Sequence, residues 1–179
     1  MQPLDRDKAF TLASPFPYVL ATVLGPDDRP NAIGLGWWTF CSWQPLHVAI
    51  SVGSEKYSAE CLERCPEFVL HFPAADQAAG AWLCGRRSGR GYDKLADAGF
   101  HLVPSLEVRP PTIEGVTVAL ECRVQQTLQV GDHTLFVGPV VASRGTPDKL
   151  AHLYSLHYTS LVALGSDGTC DWGLMNRIR

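Results

Sequence analysis

"TVALECRVQQTLQVGDHTLFVGPVVASRG", residues 117–145, decides the fold class. Its β-branched and apolar residues alternate with polar ones on both sides of Gly131-Asp132, a turn by composition. The first arm, 117–131, is long for a single strand and is expected to bend or coil; the second, 133–145, returns antiparallel to it. Two such arms joined by a tight turn form a hairpin, so the chain has an antiparallel sheet at its centre.

More strand signals flank this hairpin. "YVLATVLG" (18–25) stops at Gly25-Pro26-Asp27-Asp28, and "NAIGLGWWTF" (31–40) follows as its hairpin partner. "LHVAISV" (46–52) and "FVLHF" (68–72) read as two further strands, and "SLVALGSDGTCDWGLM" (160–175) as two short strands around a turn. The intervening pieces are helical. "KYSAECLERC" (56–65) gathers Ala59, Cys61, Leu62 and Cys65 near one face, "AADQAAGAWLC" (74–84) is alanine-rich before Gly85, and "YDKLADAG" (92–99) ends on glycine. Regular alternation of strand and long helix is absent. The expectation is therefore a mainly β, antiparallel barrel with inserted helices, in a single domain spanning residues 1–179.

Composition narrows the function classes. A net charge of −3 argues against the broad basic surface of a nucleic-acid binder. The N-terminus "MQPLDRDKAF" has no apolar leader segment, and "FPYVLATVL" is too short to span a bilayer. The six cysteines (41, 61, 65, 84, 122 and 170) form no regular framework and no zinc spacing, so they are expected to be reduced thiols in a cytoplasmic protein without a metal site.

Four segments carry chemistry. "WLCGRRSGRGYDK" (82–94) crowds glycines and cations together, but Lys94 occupies the place of a third Rossmann glycine and no Gly-Lys-Ser/Thr is present. On composition it reads as a solvated helix–helix loop or as a cradle for a small anion. "SVGSEKYSAE" (51–60) leaves a strand and enters a helix with Ser51, Ser54, Lys56 and Ser58 at hand, which suits a phosphate and equally an ordinary N-cap. "GLGWWTFCSW" (34–43) places Trp37, Trp38 and Trp43 beside glycines that leave room for a planar ligand; tryptophan is also a common core residue. "GDHTLFVG" (131–138) sets His133 directly after the turn, where a lone histidine is most often structural. No triad or paired-carboxylate arrangement accompanies them.

In this order the four segments resemble the flavin reductase-like family, the Greek-key FMN-binding split barrels that include flavoredoxins and ferric reductases. "PNAIGLGWWTFCSWQP" is similar to the family's second strand and Trp-x-Thr-x-x-Ser turn, and "SEKYSAECLERCPEFVLHFP" to its helix start and Glu-Phe-Val strand. "CGRRSGRGYDK" resembles the Ser-Gly-x-x-x-Asp-Lys loop of the flavoredoxin branch, and "GDHTLFVGPVV" the Gly-Asp-His hairpin of short flavin reductases. The resemblance implies that Trp37, Trp38, Thr39, Cys41 and Ser42 line the isoalloxazine, largely through backbone groups. It assigns Ser51, Ser54, Lys56, Tyr57 and Ser58 to the ribityl chain and phosphate, and Ser88, Gly89, Asp93 and Lys94 to closing the site. His133 is placed at the nicotinamide and flavin, with no acid–base role. The implied protein is a homodimeric oxidoreductase that binds FMN and carries electrons from NADH or NADPH to free flavin or a ferric complex. The alternative is a flavoredoxin-like electron carrier reduced by a redox protein.

Overall fold

The structure, a computed structural model, describes residues 1–149, 151–157 and 159–171. Asp5 opens helix α1 (Arg6–Leu12), its carboxylate accepting from the Lys8 N–H at 2.8 Å. Strands β1 (Phe16–Pro17), β2 (Val19–Leu24), β3 (Pro30–Leu35), β4 (Trp38–Trp43) and β5 (Leu46–Gly53) follow, then α2 (Tyr57–Arg64) and β6 (Glu67–Phe72). A 3₁₀ turn leads into α3 (Ala78–Arg86) and α4 (Lys94–Asp97). The chain continues through β7 (Leu102–Val103), β8 (Thr112–Ile113), β9 (Val118–Arg123), β10 (Gln126–Val130) and β11 (His133–Gly145). It returns in β12 (His152–Leu156), β13 (Ser160–Leu164) and β14 (Cys170–Asp171). The loop 165–169 joins β13 to β14 as expected, while Trp172–Met175 of that reading lie outside the described residues.

All these pairings are antiparallel, and the large sheet runs β3-β2-β6-β9-β11-β5-β4 with β10 added on β11. A smaller sheet, β1-β12-β13-β14, lies beside it. Strand β11 makes the sheet curl. Its first half pairs β10 on one edge and β5 on the other; from Val140 its second half pairs β9, with a bulge between Val140 and Ala142. A bulge bends a strand and increases its twist, so β11 passes from one layer into the other.

The expected long arm 117–131 is two strands. At the break the Val124 N–H donates to the Pro66 carbonyl and the Gln125 N–H to the Val137 carbonyl, each at 2.8 Å. Gly138 crosses this break, where a Cβ would drive into the Arg123 carbonyl oxygen. The segment 31–40 is also broken, between β3 and β4. Two helical details differ from expectation: α1 was not anticipated, and Gly85 lies inside α3, which runs on to Arg86. Short α4 does stop ahead of Gly99, at φ 70°.

Apolar side chains cover both faces of the central strands. One face carries Val19, Ala21, Ile50, Phe68, Leu70 and Phe136 against Leu62 of α2. The other carries Leu20, Val69 and Ala119 against Ala78 and Ala81 of α3 and Leu153 and Leu161 of the smaller sheet. Every residue of β2 is buried, which is why its sequence is a continuous apolar run rather than an alternation. Two polar side chains buried in this core hold loops. The Glu121 carboxylate accepts from the Leu106 and Glu107 N–H groups, and His71 Nε2 accepts from the Ile113 N–H at 2.9 Å.

Burial lowers the His71 pKa from 6.5 to about 3, so the ring is neutral in the folded protein at neutral pH. The unfolded chain binds one more proton than the folded chain between those values. Stability from this site is therefore complete above pH 6.5 and declines by about 1.4 kcal/mol per pH unit as pH falls toward 3. His71 ring resonances should not move between pH 5 and 8 in an NMR titration; a midpoint near 6.5 would contradict the assignment. Gly138→Ala should destabilise the protein by about 1–3 kcal/mol in urea unfolding, the usual range for overpacking; an unchanged midpoint would show that the crossing is looser than described.

Candidate functional site

Strands β3 and β4 end the large sheet on opposite sides, yet only Gly36 and Trp37 join them. The sheet must curl until its ends approach, and a cleft opens along that seam. It consists of two cavities of about 390 and 320 Å³, which share Ile33, Gly34, Lys56, Gly85 and Arg86 in their walls. Both volumes fall in the range of small-molecule sites. The walls are the β3–β4 joint, the passage from β5 into α2, the end of α3 and the start of β11.

The larger cavity is aromatic. Phe10, Tyr18, Trp37, Trp82 and His133 line it, with Ser51 and Ser155. Trp37 lies 4.7 Å from the His133 ring centre and 5.5 Å from that of Phe10. His133 Nδ1 is 2.7 Å from Asp132 Oδ1. Donation to that carboxylate leaves Nε2 on the side of Gly53, at the cavity wall. The hydrogen bond from His133, followed by its charge, holds the Asp132 carboxyl below the usual range.

The smaller cavity is polar and cationic, lined by Lys56, Tyr57, Ser58, Arg86, Arg87, Ser88, Gly89 and Lys94 among others. Helix α2 starts here without a side-chain cap, so its positive end faces the cavity uncovered. Asn31 latches two of the walls together. Its Nδ2 donates to Ser58 Oγ at 2.9 Å, so the Ser58 hydroxyl proton is left to donate elsewhere. Its Oδ1 is buried, has no hydrogen-bond partner among the described residues, and lies against Gly89, where a Cβ would collide with it.

Lys94 is only 4% exposed. Its Nζ donates to the Cys84 carbonyl at 2.9 Å and the Arg87 carbonyl at 2.7 Å, satisfying the end of α3. Burial lowers its pKa, opposed by the neighbouring Cys84 and Cys61. It therefore lines the cavity and caps the helix at once.

Of the residues singled out from sequence, the fold brings Trp37, Ser51, Lys56, Tyr57, Ser58, Ser88, Gly89, Lys94 and His133 to the cleft. The others are not in its walls. Trp38 turns away, its indole donating to the Pro17 carbonyl at 3.3 Å and its ring meeting Phe72. Thr39, Cys41 and Ser42 continue along edge strand β4, exposed. Ser54 is tied to Thr134 and Gln129 on the β10–β11 side, and Asp93 caps α4 through the Ala96 N–H. Phe10, Tyr18, Trp82 and Arg86 were missed. Phe10 and Tyr18 lie in segments read as an N-terminal tail and an ordinary strand, and only the curl of the sheet brings them to the seam.

Residues 12–161 match the profile of the family described as "Flavin reductase like domain". The chain belongs to the flavin reductase-like family. An uncharacterised protein of Pyrococcus abyssi is 34% identical over 120 residues, covering 67% of this chain and 69% of that one. The NADH-dependent FAD reductase of Streptomyces globisporus is 25% identical over 156 residues, 87% of this chain and 85% of its own. Among solved structures, the flavoredoxin of Methanosarcina acetivorans superposes with a TM-score of 0.79 at 21% identity, covering 100% of this chain and 98% of that one. The fold is thus the split barrel that the sequence resemblance implied, and α1 begins ahead of the family-matched span.

The Asn31–Gly89 contact can be tested directly. Gly89→Ala should push the 87–89 loop away from Asn31 and weaken flavin binding at least tenfold, with unfolding stability lowered by about 1–3 kcal/mol. Unchanged affinity, measured by quenching of flavin fluorescence, would show that the latch does not shape the site.

Proposed function

We propose that the cleft binds FMN and that the protein uses it to pass electrons from NADH or NADPH to free flavin or a ferric complex. The observation that carries this reading is the polarity of the cleft. An aromatic cavity opens directly into a cationic one, matching a ligand with a planar ring at one end and a phosphate at the other. Lys56 belongs to both walls, and its ammonium has no ion pair or hydrogen bond among the described residues.

In this reading Trp37 and His133 flank the ring, with Ser51 beside the ribityl chain. Lys56, the Ser58 hydroxyl and the start of α2 neutralise the phosphate. Bound flavin supplies the hydride and electron chemistry, which leaves the protein to position it and to set the charge around it. Asp132 orients the imidazole of His133 without a proton-transfer role. The unpartnered Lys56 and the acceptor-loaded Ser58 fit an anion at that end. A homodimer belongs to the same proposal: Trp43 at the tip of edge strand β4 is 86% exposed, and β10 presents Leu128 and Val130 outward.

Phe10 favours a second reading. It stands across the aromatic cavity on a helix with no buried residue, an arrangement that suits retained flavin and an electron carrier served by a protein donor. The two readings separate in stopped-flow mixing: rapid bleaching of bound flavin by NADH supports the reductase, and slow bleaching supports the carrier.

Titration with FMN should quench its fluorescence and raise the thermal midpoint of the protein. Lys56→Ala should weaken FMN at least tenfold, the scale of one charge-assisted hydrogen bond. A protein that remains colourless with excess FMN and gains no thermal stability would exclude both readings. Sedimentation velocity should show a dimer at micromolar concentration; a monomer would remove that part of the proposal.

A further inference from the structure

Arg86, the last residue of α3, belongs to the wall of both cavities. Its guanidinium lies 5.6 Å from the centre of the Trp82 ring. Neighbouring cations are engaged elsewhere. Lys94 donates to two carbonyls, Arg87 to the Tyr92 hydroxyl at 2.7 Å, and Arg90 to the Glu60 carboxylate at 2.7 Å. Arg86 has the Trp82 ring as its contact and, among the described residues, no ion pair or hydrogen bond.

Lys56, Ser58 and the start of α2 already account for one phosphate. Arg86 adds a second uncommitted cation to the same walls, and of a different kind. A guanidinium presents a rigid planar fork that grips adjacent phosphate oxygens with two parallel donors. Contact with an indole restrains the side chain before a ligand arrives, which lowers the ordering cost of binding. Trp82 itself lines the aromatic cavity, so a group held by Arg86 sits beside a ring lodged there.

We propose that Arg86, oriented by Trp82, binds the pyrophosphate of an adenine dinucleotide whose other end enters the aromatic cavity. The proposal rests on the flavin reading above. The pyrophosphate has two possible sources with the same chemistry: FAD taken up as the flavin, or the reduced nicotinamide dinucleotide that donates electrons.

The test compares wild type with Arg86→Ala and Arg86→Lys. FMN and FAD affinities are measured by fluorescence quenching, and KM is measured for NADH and for reduced nicotinamide mononucleotide, which lacks a pyrophosphate. If the flavin is the source, Arg86→Ala weakens FAD at least tenfold relative to FMN. If the donor is the source, KM for NADH rises at least tenfold, with no matching rise for the mononucleotide. Arg86→Lys should recover only part of either loss, because it restores the charge without the fork. Equal weakening of FMN and FAD without a dinucleotide-specific change in KM would overturn the proposal, as would no change in any of these quantities. Failure of the wild-type protein to bind either flavin would instead refute the underlying reading. A thermal melt of each variant confirms folding, which this exposed side chain is not expected to affect.

Discussion

Strands β3 and β4 are neighbours in sequence and lie at the two ends of the large sheet. Two residues, Gly36 and Trp37, must bridge them. A flat sheet of that width would separate its outer strands by far more than two residues can span, since paired strands stand about 4.8 Å apart. The sheet therefore curls, and the β11 bulge and the Gly138 crossing supply the bend. Trp37 is held at the joint by its carbonyl, which accepts from the Ser51 N–H at 2.9 Å. The cleft is the gap left where the curl does not fully close.

Closure at this seam also determines which chemical groups meet. The end of β5 delivers Ser51 and, through the following turn, Lys56 and the start of α2. The β10–β11 turn delivers His133 onto Trp37 from the other side. Helix α3 packs on β3 and brings Trp82 and Arg86 to the mouth. The polarity of the site follows from this order: the joint and the turn add Trp37 and His133 to the rings of Phe10, Tyr18 and Trp82, and cations come from the two helix ends. Asn31 and Lys94 are buried polar groups serving this arrangement. One joins the α2 start to the 87–89 loop, and the other ties that loop to the end of α3.

Buried lysine is costly unless its donors are satisfied, and two backbone carbonyls at a helix end meet that requirement. This explains how one residue can resemble a ligand contact by motif and act as a helix cap by geometry. Asp93 makes a similar point, since its carboxylate is used on α4. Trp38, Thr39, Cys41 and Ser42 adjoin Trp37 in sequence but continue past the seam along β4. Trp38 is drawn to Phe72 and the Pro17 carbonyl, and the other three face outward from the edge strand.

Sequence by itself determined the antiparallel β class, the positions of most strands, the β10–β11 turn and the passage from strand to helix at residues 51–58. Those features depend on local alternation, turn chemistry and the passage from strand to helix, all of which a short window contains. Tertiary structure alone decided where the long arm 117–131 bends, that 31–40 breaks in two, that Lys94 caps a helix, and that Phe10, Tyr18, Trp82 and Arg86 share a cleft with His133. These depend on contacts between segments far apart in the chain. Curling the sheet around a two-residue joint creates them, and no local pattern records the angle through which a strand must turn.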